Sequence, residues 1–252
     1  MASPSSPPWW TVYGVEAPAI RQHFFADTGR GMQATRRIAK GEAIVCVARP
    51  GILLPSDLMK VPEAAGLGRL SNKDKLRVYL LWVRAQGGAS PLAAYIDSLP
   101  KTFDTPEHWT EEELGALAGL PVHPAALRRA ASLRSRHRQM CAFVEEHAPC
   151  LLPEDGLSWE RFAWACGVVS SRSLTHGEGY CLVALLDMLN HHHNKTSTGA
   201  FDDATSSFTI VACEAVAAGD QVFLHYGPLS NEVLFLHWGF AIPRNPHSSL
   251  LV

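Results

Sequence analysis

Tyr226 stands at the end of an apolar run, Gln221-Val222-Phe223-Leu224, one residue before Gly227. A phenol can orient a nucleophile through its donor and its acceptor lone pairs without acting as a strong base; read alone, the residue is equally a strand-end aromatic. Arg172, in Ser170-Ser171-Arg172-Ser173, offers the bidentate fork that suits a carboxylate, and read alone is a surface arginine in a loop. Asp187-Met188-Leu189-Asn190-His191 closes another apolar run, where periodicity makes Asp187 and Asn190 polar strand-end groups satisfied locally. His191-His192-His193 raises metal binding, but neighbouring residues on a strand face opposite ways, so at most two can converge on one ion. No metal is expected there, and the run reads as the start of a polar loop.

These residues need elements to hold them. From Thr28 to Ala48 the chain reads as paired strands: a first run at Met32–Thr35, a turn at Ile38–Glu42, and an apolar strand at Ala43–Ala48. Gly29-Arg30-Gly31, before the first run, allows positive φ or close approach of the backbone to a ligand. Ser71 with Asp74 makes a capping box for a helix with Leu76, Tyr79, Leu80 and Val83 on one face, ended at Gly87-Gly88. Ser90–Leu99 is another helical piece before Pro100. Leu127–Val144 is a helix whose arginines 128, 129, 134, 136 and 138 spread around several faces, which favours a solvated helix over a nucleic-acid surface. Trp159–Val169 follows with Ser158 as N-cap, and a last short helix runs from a Ser230 cap to Gly239.

The 252 residues, 47% of them hydrophobic, suffice for a sizeable core. A net charge of −2 and a pI near 6.6 supply no basic field for nucleic acid or an anionic membrane, so no direct nucleic-acid binding and no membrane partner are expected. No apolar run reaches the ~20 residues of a membrane span, and the Pro/Ser-rich first ten residues read as a loose tail with no secretory pattern. Cysteines 46, 141, 150, 166, 181 and 213 form no C-x-x-C pair and read as buried free thiols of a reducing compartment.

Taken in order, Gly29-Arg30-Gly31, the Gly41-Glu42 turn, Tyr95-Ile96-Asp97-Ser98-Leu99-Pro100 with Trp109, Asn190-His191, Tyr226-Gly227 and Gly239-Phe240 resemble SET-domain methyltransferases. The likeness is strongest to the branch typified by the plant Rubisco large-subunit lysine methyltransferase. It implies an α+β fold of short sheets: a tail at 1–27, the first SET part at 28–50, a helical insert at 51–170, and the second SET part at 171–252. The C-terminal helical domain with which that branch holds its protein substrate is absent from this stretch. The resemblance implies S-adenosylmethionine as cofactor, a protein presenting a lysine (histone or non-histone) as substrate, a monomer, and a nuclear or cytoplasmic setting with an organelle left open. It places Thr28, Gly29, Arg30, Arg172, Asn190, His191, Tyr226 and Phe240 at the cofactor. Asp187 and Trp238 fall on the substrate side, and Tyr226 at the methyl-transfer channel. Asn190 would hold the methionine end, the His191 backbone the adenine, and Arg172 the carboxylate.

Two departures bear on activity. Trp238 stands where the family commonly has tyrosine, and His176 where the plant enzyme has a second arginine. A histidine-methylating branch shares Asn-His and Tyr-Gly but carries tryptophan where this chain has Leu186. A SET-like binding module without catalysis is a further alternative, motivated by Trp238.

Overall fold

A computed structural model describes residues 8–176, 179–194 and 196–248, which form two compact units. Of the described residues, the first comprises 8–53, 174–176, 181–194 and 196–228, and the second 54–173, 179–180 and 229–248.

The first unit is built of short β-sheets. One sheet has the order β1 (Val15–Glu16), β4 (Ala43–Val47), β10 (Ser207–Ala212), β9 (Ser197–Asp202). Phe208, Ile210 and Ala212 alternate inward along β10, as a strand with one covered face requires. A second sheet has the order β2 (Ile20–Phe25), β3 (Gly29–Ala34), β11 (Gln221–Leu224), β8 (Asn190–His191). Here β11 runs antiparallel to β3, with Val222 opposite Met32, and parallel to β8, with Phe223 opposite Asn190. The strand leading to Tyr226 therefore lies between the Gly-Arg-Gly strand and the Asn-His strand. A third sheet orders β5 (Ile52–Leu53), β7 (Gly179–Val183) and β6 (Leu174–His176).

The second unit is helical: α1 (Pro55–Leu58), α2 (Asn72–Ala85), α3 (Ala93–Ser98), α4 (Glu111–Gly115), α5 (His123–His147), α6 (Trp159–Arg172) and α7 (Asn231–Trp238). Leu76, Leu80 and Val83 of α2 and Phe162, Ala165, Val168 and Val169 of α6 are buried, each large side chain contributing about 1.5–3 kcal/mol. At Gly167 in α6 a Cβ would enter the ring of Phe103, so any larger residue there must displace that ring. The Ser71, Ser158 and Ser230 hydroxyls each accept the backbone N–H three residues on, fixing three helix starts at about 1 kcal/mol each.

Several expectations need correction. The tail over 1–27 is structured where it is described: Trp10, Tyr13, Val15 and Ile20 are buried, and β1 and β2 lie within it; residues 1–7 lie outside the described residues. The strands of 28–48 do not pair with each other. β3 pairs with β2 and β11, and β4 with β1 and β10, because Ile38 bridges Val216 and carries the chain from one sheet to the other. Ser90–Leu99 is helical only at Ala93–Ser98, since the Ser90 hydroxyl takes the Leu92 N–H in a turn first. The arginine-rich helix is longer, His123–His147, and Arg129 and Arg136 are only partly solvated, being tied to Glu107 and Asp74. Of the cysteines, Cys166 and Cys181 are buried, and burial pushes their thiols up to about 12 and about 11; Cys150 is exposed and Cys46, Cys141 and Cys213 are partly so.

Candidate active site

In the first unit the second sheet gathers Thr28, Gly29, Arg30, Asn190 and Tyr226 around β11. Gly29 takes φ +68, which only glycine adopts without strain. At Gly31 a Cβ would run into the Gln221 Nε2 amide and come within 2.8 Å of Asn190 Nδ2. Asn190 Nδ2 donates to the carbonyls of Arg30 at 3.1 Å and Thr28 at 3.4 Å. Both neighbours are acceptors, so the amide's orientation follows. Asn190 thus binds β8 to the Gly-Arg-Gly backbone and turns only its oxygen elsewhere. The Thr28 hydroxyl donates to Gln221 Oε1 at 2.8 Å, while the buried Gln221 Nε2 has no hydrogen-bond partner among the described residues.

Tyr226, half-buried, is fixed at both ends. Its hydroxyl donates to the Leu189 carbonyl at 2.7 Å, and its backbone N–H donates to His191 Nδ1 at 3.1 Å. The His191 ring is 6% exposed and stacks on the phenol, with centroids 5.1 Å apart. Burial, and then the neighbouring His225, push the His191 imidazole down to about 4, so at neutral pH it is uncharged and able to accept. This side-chain role was missed in the sequence, where only the His191 backbone was given a task. The one signal available was an Asn-His pair followed by a histidine directly before Tyr226.

A cleft of about 250 Å³ opens beside Tyr226, lined also by Leu174, Leu186, Phe208, Leu224 and His225. Ser197, Thr198 and Gly199 complete its lining, and among the described residues no carboxylate, lysine or arginine lines it. Asp187 lies in a 3-10 turn at Leu186–Met188 preceded by Leu185 at φ +70, ψ −37, a strained conformation for a branched side chain.

Arg172, Trp238 and Phe240 belong to the second unit. Arg172 is the last residue of α6 and not a loop residue, because the apolar face of that helix continues through Val168 and Val169. Trp238 ends α7 and donates its indole N–H to the Ser171 carbonyl at 2.7 Å, so its one donor is engaged. Gly239 follows at φ +78, and a Cβ there would enter the Asp104 carbonyl oxygen; Phe240 comes directly after it, half-buried. His192 Nδ1 accepts the Asn194 N–H at 3.0 Å, and among the described residues no group of three His, Cys, Asp or Glu side chains is placed to hold a metal ion. Nor, among them, is any helix long and apolar enough to cross a membrane.

Known proteins share this organisation. SET domain-containing protein 4 of Artemia parthenogenetica is 28% identical over 89% of this chain and 58% of its own length. The actin-histidine N-methyltransferase of Rattus norvegicus is 28% identical over 97% of this chain and 43% of its own. The ribosomal lysine N-methyltransferase set10 of Schizosaccharomyces pombe is 28% identical over 69% and 32%. The chain therefore spans between a third and three fifths of the curated relatives it matches. Among solved structures, Rubisco LSMT bound to AdoMet superimposes with a TM-score of 0.78 at 23% identity, over 93% of this chain and 55% of that one. The SET domain pattern matches residues 29–227, and the chain belongs to the SET-domain family.

Proposed function

We propose that this protein transfers a methyl group from S-adenosylmethionine to the side-chain amine of a lysine in a protein substrate. The observation that carries the reading is Tyr226, held at its hydroxyl and its backbone beside a cleft.

The residues present fit the cofactor. Its ammonium calls for an oxygen acceptor, and the Asn190 amide oxygen is left for that by the two bonds of Nδ2. The unsatisfied Gln221 Nε2 and the absence of a side chain at Gly31 leave a polar edge with a close backbone approach. To Arg172 we assign the carboxylate, to Thr28, Gly29, Arg30 and the His191 backbone the remaining polar contacts, and to Phe240 the adenine face. When bound, S-adenosylmethionine supplies a sulfonium methyl group whose C–S bond breaks, the electron pair leaving with sulfur, as the N–C bond forms.

The chain's own task is to bring a neutral amine into line. Free lysine has a pKa of about 10.4, and withdrawal of the amine from water into the cleft disfavours the ammonium form, so the proton leaves to solvent before attack. The Tyr226 hydroxyl donates to the Leu189 carbonyl, which fixes the phenol oxygen as an acceptor for an N–H of the incoming amine. Holding the reacting atoms in line in this way supplies up to roughly 7–11 kcal/mol of the barrier. Asp187 and Trp238 are assigned to the substrate side, Trp238 through its ring face, since its N–H is engaged.

A histidine acceptor is the second reading, favoured by the rat actin-histidine enzyme's match to 97% of the chain. Incubating the protein with labelled S-adenosylmethionine and a cell lysate, then hydrolysing to amino acids, separates the two. Label in methyl-lysine is expected. Label in methyl-histidine moves the acceptor while keeping the chemistry, and an unlabelled lysate rejects both and leaves a binding module.

A further inference from the structure

The second unit contains a cavity of about 340 Å³ whose lining shares no residue with those assigned to methyl transfer, formed where α2, α5, α6 and α7 meet. Its walls carry Lys73, Arg77, Arg129 and Arg136, together with Glu107. Asp74 accepts from Arg77 Nη1 at 2.5 Å and lies 3.4 Å from Arg136 Nη1, and Glu107 accepts from Arg129 Nη2 at 2.7 Å. Among the described residues four cations thus face two carboxylates, a surplus of two positive charges. Both acids are themselves engaged. Burial pushes the Asp74 carboxyl up, but the Ser71 hydroxyl and the Arg77 and Arg136 guanidiniums together hold it below the usual range.

The hydrogen bonding is incomplete on the cationic side alone. Arg77 is only 8% exposed, yet its Nε–H has no hydrogen-bond partner among the described residues, and the buried Nε–H of Arg129 has none either. A buried donor left unsatisfied is costly, but both Nε atoms are closed to solvent and lie behind the cavity wall; it is the surplus positive charge of the lining side chains that calls for an oxyanion. The fourth wall does not compete. His237 Nε2 sits 3.2 Å from Arg129 Nη1, and burial, with Arg129 and Lys73, pushes its imidazole down to about 4, so it is an uncharged acceptor. Lys73 leans over the Tyr180 ring, 4.3 Å from its centroid, at the same cavity.

We propose that this cavity is a binding site for a phosphate monoester, held by the forks of Arg77 and Arg129 with Lys73 and Arg136 supplying charge. A phosphoryl group carries about −1.5 to −2 at pH 7 and three acceptor oxygens, which matches the surplus charge; a single carboxylate would leave one charge over. The phosphoryl group comes either from a phosphorylated side chain of a protein or from a small phosphorylated molecule.

The experiment needs no methyl transfer, so its result stands apart from that of the proposed activity. The protein is titrated calorimetrically, at constant ionic strength set with sodium chloride, with inorganic phosphate and with a short phosphoserine peptide. The same is done for Lys73→Gln and Arg129→Gln, with circular dichroism to verify folding, and for Arg129→Lys, which keeps the charge and loses the fork. Saturable binding, weakened by about tenfold or more in both glutamine variants and partly in Arg129→Lys, is expected. A peptide that binds more tightly than inorganic phosphate assigns the site to a protein-borne phosphoryl group, and equal affinities assign it to a small molecule. No saturation by about 10 mM of either probe, or unchanged affinity in the folded glutamine variants, overturns the site.

Discussion

The backbone N–H of Tyr226 donates to Nδ1 of His191 across 3.1 Å, and the two rings stack with centroids 5.1 Å apart. The bond requires an uncharged imidazole with its proton on Nε2, which burial and the nearby His225 favour by lowering the imidazole to about 4. An unfolded histidine titrates near 6.5. As pH falls below that value the unfolded chain takes up a proton that the folded chain refuses until about 4, so stability is complete above pH 6.5 and lost between there and 4. The loss through this one group reaches about 3 kcal/mol. Urea denaturation across that range should show the slope in the wild type and a shallower one in His191→Gln; equal slopes would remove the coupling.

The same bond predicts a catalytic effect separate from cofactor binding. His191→Ala leaves the Tyr226 N–H without its acceptor, at a cost of about 1–3 kcal/mol, and frees the strand end that aims the phenol. We expect kcat to fall while affinity for S-adenosylmethionine changes little. His191→Gln restores an acceptor and should recover part of the rate. If alanine and glutamine variants are equally slow, the ring matters for packing and not for this bond.

Gly31 and Gly41 give a matched pair. At Gly31 a Cβ displaces the Gln221 and Asn190 amides, whereas at Gly41, φ +81, it meets nothing within 4 Å. Gly31→Ala and Asn190→Ala should each weaken S-adenosylmethionine binding by roughly 1.5–3 kcal/mol. Gly41→Ala should cost only about 1–2 kcal/mol of stability through its backbone conformation. Calorimetry with thermal melts checks both, and a Gly31→Ala protein with native affinity would detach this edge from the cofactor.

Trp238→Tyr tests what the indole does here. The Trp238 N–H bond to the Ser171 carbonyl joins the end of α7 to the last turn of α6. A phenol at this position loses that bond, so a stability loss of about 1 kcal/mol is expected alongside any change in the number of methyl groups added. A variant at least as stable as the wild type would show that the bond contributes nothing.

The legible parts of the sequence were those encoded by nearest neighbours. Ser71 with Asp74, Ser158 and Ser230 mark helix starts within three residues, and Gly239 marks an end, so local hydrogen bonds suffice to read them. The Asn190-His191 and Tyr226-Gly227 pairs were recognisable by order alone. What stayed hidden depends on partners far apart in the chain. The separation of β3 from β4 follows from the Ile38–Val216 bridge, and the burial of Val15 and Ile20 from pairing of β1 with β4 and β2 with β3. The His191 side chain reaches Tyr226 across 35 positions, and Arg129 reaches His237 across 108. No periodicity within a window reports such contacts.

Tyr226→Phe separates orientation from structure most cleanly. Phenylalanine keeps the backbone bond to His191 and the stacked ring, and removes only the hydroxyl that donates to Leu189. The fold and cofactor affinity should therefore persist, with at most about 1–2 kcal/mol lost for one hydrogen bond. If the phenol oxygen positions the amine, kcat should drop by roughly 10²-fold, the scale set by misplacing a reacting group by about 1 Å, while KM for a substrate peptide stays near its wild-type value. The rate of both proteins should rise with pH, because each needs a neutral amine and neither supplies a strong base. A mutant as fast as the wild type would remove the hydroxyl from the mechanism. A mutant that is slow at neutral pH but matches the wild type at high pH would instead make the hydroxyl a device for lowering the amine's pKa.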